Sequence, residues 1–416
     1  MGSITRPWTL NEIPPISRLV LAVHLGLALG YIGLVLMAFG RGEIWRADFT
    51  AHYTGARMVW EGQGATLYHR EAQAQRQQEI LGGRHLYNGL LPYNRPPFVA
   101  IALSPLAAMS LEKAFAIWAL FNLLLWAGFL WDLSRWARPW GAAACALTVS
   151  AVAALPGFLL SLLLGTFSIW TLAALWAFYR TLREGGEGWA GFFLALASAH
   201  PQAALFPALL LIAGRRWKAL AVFLASGLGL ATASAAILGS GIWIDYLRML
   251  REAAAAFGRH GIDPEVMINL KGLLARLYPP IGGDKGAWVN GLSALGLAIG
   301  AFATLMLWRS PWRPGEPDFD LRFGLTFAMG LFLSPHANPQ DGLLIALPGV
   351  LVYRFLRIPS GARPMMRQAF EGIAIAFPGL WLAERFTIGS SMSVTLGTIA
   401  LIVIGVWALA ECRSTI

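Results

Sequence analysis

The sequence predicts an all-α polytopic membrane protein, a single membrane domain over 1–416 with about twelve transmembrane helices, N-in and C-in. Hydrophobic residues make up 57% of the chain and charged residues only 13%, about half of the roughly 25% charged typical of a soluble domain. Apolar runs of about 14 to 24 residues recur from Leu19 to Leu409, against the roughly 17 to 25 that cross a bilayer. The 18 Trp suit many helix ends held at headgroup level, where the indole N–H stays wet and the ring does not.

In chain order the runs fall at 19–40, 97–109, 113–131, 139–156, 158–179, 189–213, 219–239, 286–308, 321–334, 341–354, 368–386 and 391–410. The first is too long for a signal-peptide core and lacks a clear small-residue cleavage site, so it reads as a retained span. An inside N-terminus puts Arg215, Arg216, Lys218, Arg309, Arg313, Arg354, Arg357, Arg363, Arg367 and Arg413 in the cytoplasm. It leaves Arg135, Arg138, Arg180, Arg183 and Arg385 in short outer loops, which is the positive-inside asymmetry. Two long segments, 41–96 and 240–285, then lie outside, the first carrying an interfacial helix. The net charge is +10, and all but four of the 32 basic residues are Arg. They are scattered, with no basic run interleaved with aromatics, so no nucleic-acid partner is predicted. With two cysteines, no disulfide framework is expected.

In the first outer segment, Phe49, Tyr53, Ala56 and Trp60 follow helical spacing, while Thr50, Arg57 and Glu61 occupy the other face and Gly62 and Gly64 end the helix. This pattern predicts a helix lying in the outer interface. Asp48 opens it. An Asp there is a natural N-cap, and equally a carboxylate at the lipid–water boundary able to take a proton from a hydroxyl. The segment closes on Tyr93-Asn94-Arg95-Pro96-Pro97, where the prolines fix an extended entry into the next run. Tyr93 and Arg95 are candidates for substrate contact, and also natural interfacial anchors.

Ionisable and helix-breaking residues recur at Ala199-His200-Pro201-Gln202, inside the sixth run. Polar groups at that depth face a cavity or the bundle, so His200 and Gln202 are candidate ligand contacts, with a satisfied kink as the plainer reading. Between the ninth and tenth runs, Ser334-Pro335-His336-Ala337-Asn338-Pro339-Gln340-Asp341 concentrates donors and acceptors in one turn on the same side as Asp48. His336 and Asn338 can hold a phosphate or sugar there, while Asp341 also reads as an N-cap and the prolines as turn residues. No His-x-x-x-His, Cys-x-x-Cys or paired carboxylates at metal spacing occur, so no metal or other cofactor is expected. No Gly-x-x-x-x-Gly-Lys-Ser/Thr loop argues for direct ATP use.

Asp48-Phe49, Gly64 to Tyr68, Pro96-Pro97, Gly165 with the following span, Pro201-Gln202 before Arg215-Arg216-Trp217, and Leu333-Ser334-Pro335-His336 occur in an order that resembles glycosyltransferase family 87. These are GT-C-type membrane mannosyltransferases that use polyprenyl-phosphate sugars. The chain departs from the family's common pattern at Gly165-Thr166, His200 and Gln340-Asp341. The resemblance implies a GT-C-like architecture in the cell (inner) membrane with an extracytoplasmic active site. It implies Asp48 as the catalytic carboxylate, with His336 matching the family's Ser-Pro-His element. The expected reaction moves a sugar, mannose by resemblance, from a polyprenyl-phosphate donor to a lipid or glycan acceptor with inversion. Arg95, His336 and Arg385 are the candidates for the leaving phosphate.

The rival reading is a transporter or flippase of lipid-linked sugars, to which a mid-membrane His200-Pro201-Gln202 would also belong. That reading predicts inverted repeats, and no repeat stands out.

Overall fold

The computed structural model describes residues 14–86, 89–255, 263–278, 284–358 and 363–414. Among them all regular structure is helical. The order is α1 (Pro15–Gly40), α2 (Phe49–Trp60), α3 (Arg70–Leu81), α4 (Pro97–Leu103) prolonged by a 3-10 run Ser104–Ala108, α5 (Leu111–Ala137), α6 (Ala142–Ala153), α7 (Pro156–Leu164), α8 (Ser168–Arg183) and α9 (Glu187–Ala197). There follow α10 (Pro201–Ala213), α11 (Trp217–Leu238), α12 (Ile242–Ala255), α13 (Leu270–Leu277), α14 (Lys285–Leu307) and α15 (Pro317–Phe332). A 3-10 run Pro339–Ile345 leads into α16 (Ala346–Leu356), and α17 (Arg363–Ile388) and α18 (Met392–Ser414) close the chain. Prolines open α1, α4, α7, α10 and α15, where the missing N–H costs no intrahelical bond.

Six stretches among the described residues are long and apolar enough to cross a membrane: Ser17–Gly40, Leu111–Trp140, Ala142–Leu164, Trp217–Leu238, Lys285–Leu307 and Met392–Glu411. Their burial separates periphery from centre. Only 6% of the apolar window of Trp217–Leu238 is covered by protein, against 67% for Ala142–Leu164. Leucines such as Leu36 and Leu228 stand exposed on α1 and α11, an arrangement stable only where the solvent is hydrocarbon. In lipid, close packing rather than water exclusion joins helices. Accordingly, a Cβ added at Gly157 of α7 would come within 2.6 Å of the Leu343 amide nitrogen, so this glycine lets two backbones touch.

The second predicted span is corrected by its two ends. Tyr93, just before α4, packs its ring on Gly55 of α2. Beyond α4, the Ala107 carbonyl accepts from Arg57 at 2.7 Å and the Met109 carbonyl from the Tyr53 hydroxyl at 2.5 Å. Both ends of 97–109 thus return to one short stretch of α2, and the segment laps that helix instead of running through a bilayer. The sixth predicted span is two helices: α9 and α10 fold back on each other about His200-Pro201, and Glu187 at the start meets Arg216 beyond the end at 3.0 Å. At 1.5 Å per residue each arm reaches only about 16 to 20 Å.

These changes move four arginines. With α5 starting beside α2, its far end, carrying Arg135 and Arg138, joins the other basic residues. Arg357 donates to the Trp140 carbonyl at 2.6 Å and Arg354 stacks over Trp136. Arg183 and Arg354 both pair with Asp320, at 2.9 and 3.0 Å, and Arg180 pairs with Asp132. Arg135, Arg138, Arg180 and Arg183 therefore belong to one arginine-rich end with Arg216, Arg354 and Arg357, opposite α2, and the charge asymmetry is sharper than the sequence threading implies.

The two long segments meet at the other end. Leu238 packs on Gly64, and Tyr246 of α12 lies 5.3 Å from Tyr68 between ring centroids. Helix α2 is more enclosed than an interfacial helix: Phe49 through Ala56 are all buried, because α3, the 104–108 run and α5 cover the faces expected to meet lipid and water. Only Trp60, 53% exposed, keeps the interfacial position.

Candidate functional site

Asp48 immediately precedes α2, yet its side chain caps nothing. The reason is local. After the 3-10 turn Glu43–Arg46, Ala47 is extended (φ −73°, ψ 152°) and Asp48 already has helical angles (φ −56°, ψ −24°). Asp48 therefore stands in the first turn instead of at the cap, and the backbone carbonyls of Ala47 and Asp48 take the amides of Thr50 and Ala51 at 2.9 and 3.0 Å. The half-buried carboxylate is left free for contacts from elsewhere in the chain, and it accepts from Gln340 Nε2 at 3.4 Å.

Three interruptions of helices converge on it. At Gly165 α7 ends in the left-handed conformation, φ +65°, and an added Cβ would lie 2.7 Å from the Phe49 Cβ. Glycine thus permits the turn and its seating on the first residue of α2. Three residues on, Ser168 begins α8 and donates to Asp341 Oδ1 at 2.8 Å. The second interruption carries His200, with Nδ1 3.8 Å from the same Oδ1. The third is the 334–338 turn, in which Ser334 Oγ donates to the His336 carbonyl at 2.9 Å and Gln202 Nε2 reaches that carbonyl at 3.2 Å. Asp341 Oδ2 accepts the Asn338 amide at 2.9 Å in a capping box. Asn338 is the N-cap of the 339–345 run, which corrects the N-cap reading of Asp341: Asp341 is the third residue of that run, and its carboxylate also ties α8 to it.

Arg95 enters from the loop after Tyr93. The Tyr93 hydroxyl donates to the Pro96 carbonyl and the Tyr68 hydroxyl to the Arg95 carbonyl, while Gln73 of α3 accepts the Tyr93 amide at 2.8 Å. Fully buried Tyr93 therefore holds the loop and has no free hydroxyl for a ligand. The Arg95 guanidinium lies 5.5 Å over the Phe167 ring, and among the described residues its buried Nε has no hydrogen-bond partner. Burial lowers its affinity for its proton, and the fields of Asp341 and Asp48 oppose this. Burial pushes the Asp48 carboxyl up to about 6, with Arg95 pulling it down and Asp341 raising it. His336 is lowered by burial, drawn up by Asp341, and lowered again by Arg95 and Lys271. A cavity of about 30 Å³ bounded by His200, Gln202, Ser334, His336 and Asp341 adjoins this cluster, room for about one water molecule.

A family model for glycosyltransferase family 87 matches residues 93–335, more than half of the chain. The chain belongs to glycosyltransferase family 87. Comparison with curated proteins finds no match. As a family 87 member the protein is a membrane glycosyltransferase. The matched region contains Tyr93, Arg95, His200 and Gln202 and stops one residue before His336; Asp48, Gln340 and Asp341 lie outside it and reach the site through the fold.

Of the residues singled out in the sequence, Asp48, Arg95, His200, Gln202, His336 and Asn338 meet in this cluster. Arg385 does not join it. It is held at the end of α17 by the Gly389 carbonyl. Among the described residues no three His, Cys, Asp or Glu side chains group as metal ligands. Four contributors escaped sequence reasoning. Ser168 and Gln340 carry no charge, and His52 lies within the buried α2, both ring nitrogens unpartnered among the described residues. Lys271, 8% exposed, sits in a segment whose contact with 334–337 no local pattern announces.

Proposed function

We propose that the chain transfers a sugar, mannose on the family resemblance, from a polyprenyl-phosphate donor to a lipid or glycan acceptor, with Asp48 as general base. The observation that carries this reading is the free carboxylate of Asp48. It is relieved of capping, raised toward neutral pH by burial, and set beside a guanidinium with an unpartnered nitrogen. A base with a proton affinity near that of its medium is suited to take a hydroxyl proton as the oxygen attacks. In that displacement the acceptor oxygen bonds to the anomeric carbon, the bond from that carbon to the phosphate oxygen breaks, and the anomeric centre inverts. The acceptor proton goes to Asp48 and the bonding pair to the phosphate, whose added charge Arg95 and the His336 turn are positioned to receive.

An apolar cleft of about 140 Å³ between α6, α16, α17 and α18 favours a lipid-borne donor. It begins at Ile345, four residues beyond Asp341, and its lining extends to Tyr353 and Glu371, a path suited to an isoprenoid chain. The arginine-rich end argues for the cytoplasmic side by the positive-inside bias. The Asp48 end then faces outward, where nucleotide sugars are absent and an activated sugar arrives on lipid.

The test is sugar transfer by purified protein in lipid, with synthetic polyprenyl-phosphate mannose, a membrane lipid and glycan extract as acceptor, and released polyprenyl phosphate as the readout. Release by wild type that is lost in Asp48→Asn supports the reading. Equal release by both, or passage of intact donor across the bilayer, overturns it in favour of transport.

A further inference from the structure

The Arg95 guanidinium is held by a ring and not by a carboxylate. Among the described residues its side chain makes neither a hydrogen bond nor an ion pair, and its enclosed Nε has no partner. Asp48 and Asp341 act on it through their fields, while their oxygens are engaged by Gln340, Ser168 and Asn338. The contact that locates it is Phe167, whose ring centroid lies 5.5 Å from the guanidinium carbon. Phe167 is itself fixed. It is 4% exposed, with the Trp118 ring 4.8 Å away and the His52 ring nearly perpendicular to it at 5.1 Å. Trp118 in turn donates its indole N–H to the Gly165 carbonyl at 2.9 Å. Phe167 also stands where local preference favours another residue. It is the N-cap of α8, and its side chain caps nothing, whereas Ser, Thr, Asp or Asn there would bond an amide of the first turn. Such departures from local preference are expected at functional sites.

We infer that Phe167 is a positioning residue, its ring holding the Arg95 guanidinium in place and unpaired for the phosphate of a prenyl phosphate. This deepens the proposed transferase reading and rests on it for the identity of the lipid. A carboxylate would bind the guanidinium more tightly, but it would spend N–H donors and cancel the charge. An aromatic face attracts the cation through the ring quadrupole and carries no net charge of its own. The planar fork of donors thus stays available to an anion that can take two of them at once. Because Phe167 acts through Arg95, its effect on phosphate binding should vanish when Arg95 is gone.

The experiment is equilibrium binding to the full chain in lipid nanodiscs, with a short prenyl phosphate, the corresponding prenyl alcohol and inorganic phosphate as probes. The proteins are wild type, Phe167→Leu, Phe167→Tyr, Arg95→Met and the double variant Phe167→Leu with Arg95→Met. Loss of a desolvated cation–π contact predicts prenyl phosphate binding about five- to tenfold weaker in Phe167→Leu, with alcohol binding unchanged. Phe167→Tyr keeps the ring and should stay within about twofold of wild type. In the Arg95→Met background Phe167→Leu should cost nothing further, the non-additivity of two residues that act as one. Phe167→Met, apolar and also without a ring, takes the place of Phe167→Leu if that variant does not fold. Prenyl phosphate binding at least about tenfold tighter than inorganic phosphate supports a lipid headgroup; equal affinity overturns the lipid source. Unchanged prenyl phosphate affinity in Phe167→Leu overturns the inference. So does an equal loss in Phe167→Tyr, an equal loss in the Arg95→Met background, or a loss shared by the alcohol, since each marks a ring that only packs. The two readings fail separately. Coupling of Phe167 to Arg95 in phosphate binding without sugar transfer sinks the transferase proposal alone, whereas Asp48-dependent transfer without that coupling sinks this inference alone.

Discussion

Gln340 Nε2 lies 3.4 Å from Asp48 Oδ2, across 292 positions of sequence. The contact joins the start of the first long segment to the turn before α16, and it is long for a hydrogen bond to a carboxylate, which ordinarily closes to about 2.9 Å. The oxygen is thus oriented without being saturated, which suits a group that must accept a proton.

Replacing Asp48 by Asn keeps the shape of the side chain and removes the base. Transfer is expected to fall about 10²- to 10⁴-fold, the range for a lost general base, while the chain still folds. Stability should move the other way. A carboxyl raised from 3.8 to about 6 in the folded chain contributes stability that is complete below 3.8 and lost as pH rises through 6, so above 6 the ionised group is a liability. The two-unit shift caps the gain from Asp48→Asn at about 3 kcal/mol, less what solvent screens at a half-buried group. Melting curves should coincide near pH 4 and separate at pH 7.5, with the variant higher. A variant that melts lower at pH 7.5 would return Asp48 to a structural role.

The same value predicts the acid limb of activity. With Asp48 required ionised, kcat/KM rises with pH at unit slope and is half-maximal near pH 6. Arg95 pulls the Asp48 carboxyl down, so Arg95→Met should shift the limb upward as well as weaken donor binding. A limb unmoved in Arg95→Met would separate the guanidinium from the base.

Much of the fold was legible because lipid imposes length and apolarity on each helix. Every predicted run is mostly helical, but 158–179 is broken at Gly165 and 189–213 at His200, and the fourth run joins the start of the fifth as Ala142–Leu164. Helices α1, α11, α14 and α18 stand nearly where the runs predict them. The errors have a common cause. Hydropathy records that 97–109 and 189–213 avoid water but not whether their ends come back together, which depends on contacts such as Arg57 with Ala107 and Glu187 with Arg216. In the site, Asp48, His336 and His200 were visible as charged or titratable groups near helix-breaking residues. Whether Asp48 caps its helix depended on the chain turning helical at Asp48 itself, one residue after extended Ala47, and the approach of Gln340 and Lys271 is tertiary. Neither has a local signature.

Asp341 should matter chiefly to stability. It is 4% exposed, and Ser168, 1% exposed, spends its hydroxyl on it. Asp341→Ala leaves that hydroxyl only the Thr166 hydroxyl at 3.3 Å and strands the Asn338 amide, at about 1 to 3 kcal/mol for a buried group left without a partner. Ser168→Ala removes one donor and leaves the capping box, so its thermal melt in detergent should fall by about half as much. Equal losses would mean that the capping bond contributes little.

Sidedness is testable with single cysteines. Glu43→Cys, exposed just before Asp48, should react with a membrane-impermeant maleimide on intact cells, and Arg313→Cys, exposed at the arginine-rich end, only after permeabilisation. The inverse result would put the Asp48 end in the cytoplasm and remove the argument for a lipid-borne donor.

At the arginine-rich end, Asp320 is 4% exposed and takes the Tyr179 hydroxyl at 2.6 Å, Arg183 at 2.9 Å and Arg354 at 3.0 Å. One carboxylate thus joins α8, α15 and α16. Removing it leaves two guanidinium groups facing each other without the anion between them, and breaking a buried pair in this way costs about 3 to 5 kcal/mol. Both arginines keep some solvent contact, which places Asp320→Ala toward the lower figure. The end lies about 24 Å from Ser168, the length of sixteen-residue α8 at 1.5 Å per residue. Asp320→Ala should therefore reduce yield and melting temperature while each folded molecule transfers sugar at the wild-type rate. A lower rate per folded molecule, measured after size-exclusion chromatography, would show instead that α8 and α16 transmit their packing to Ser168 and Asp341.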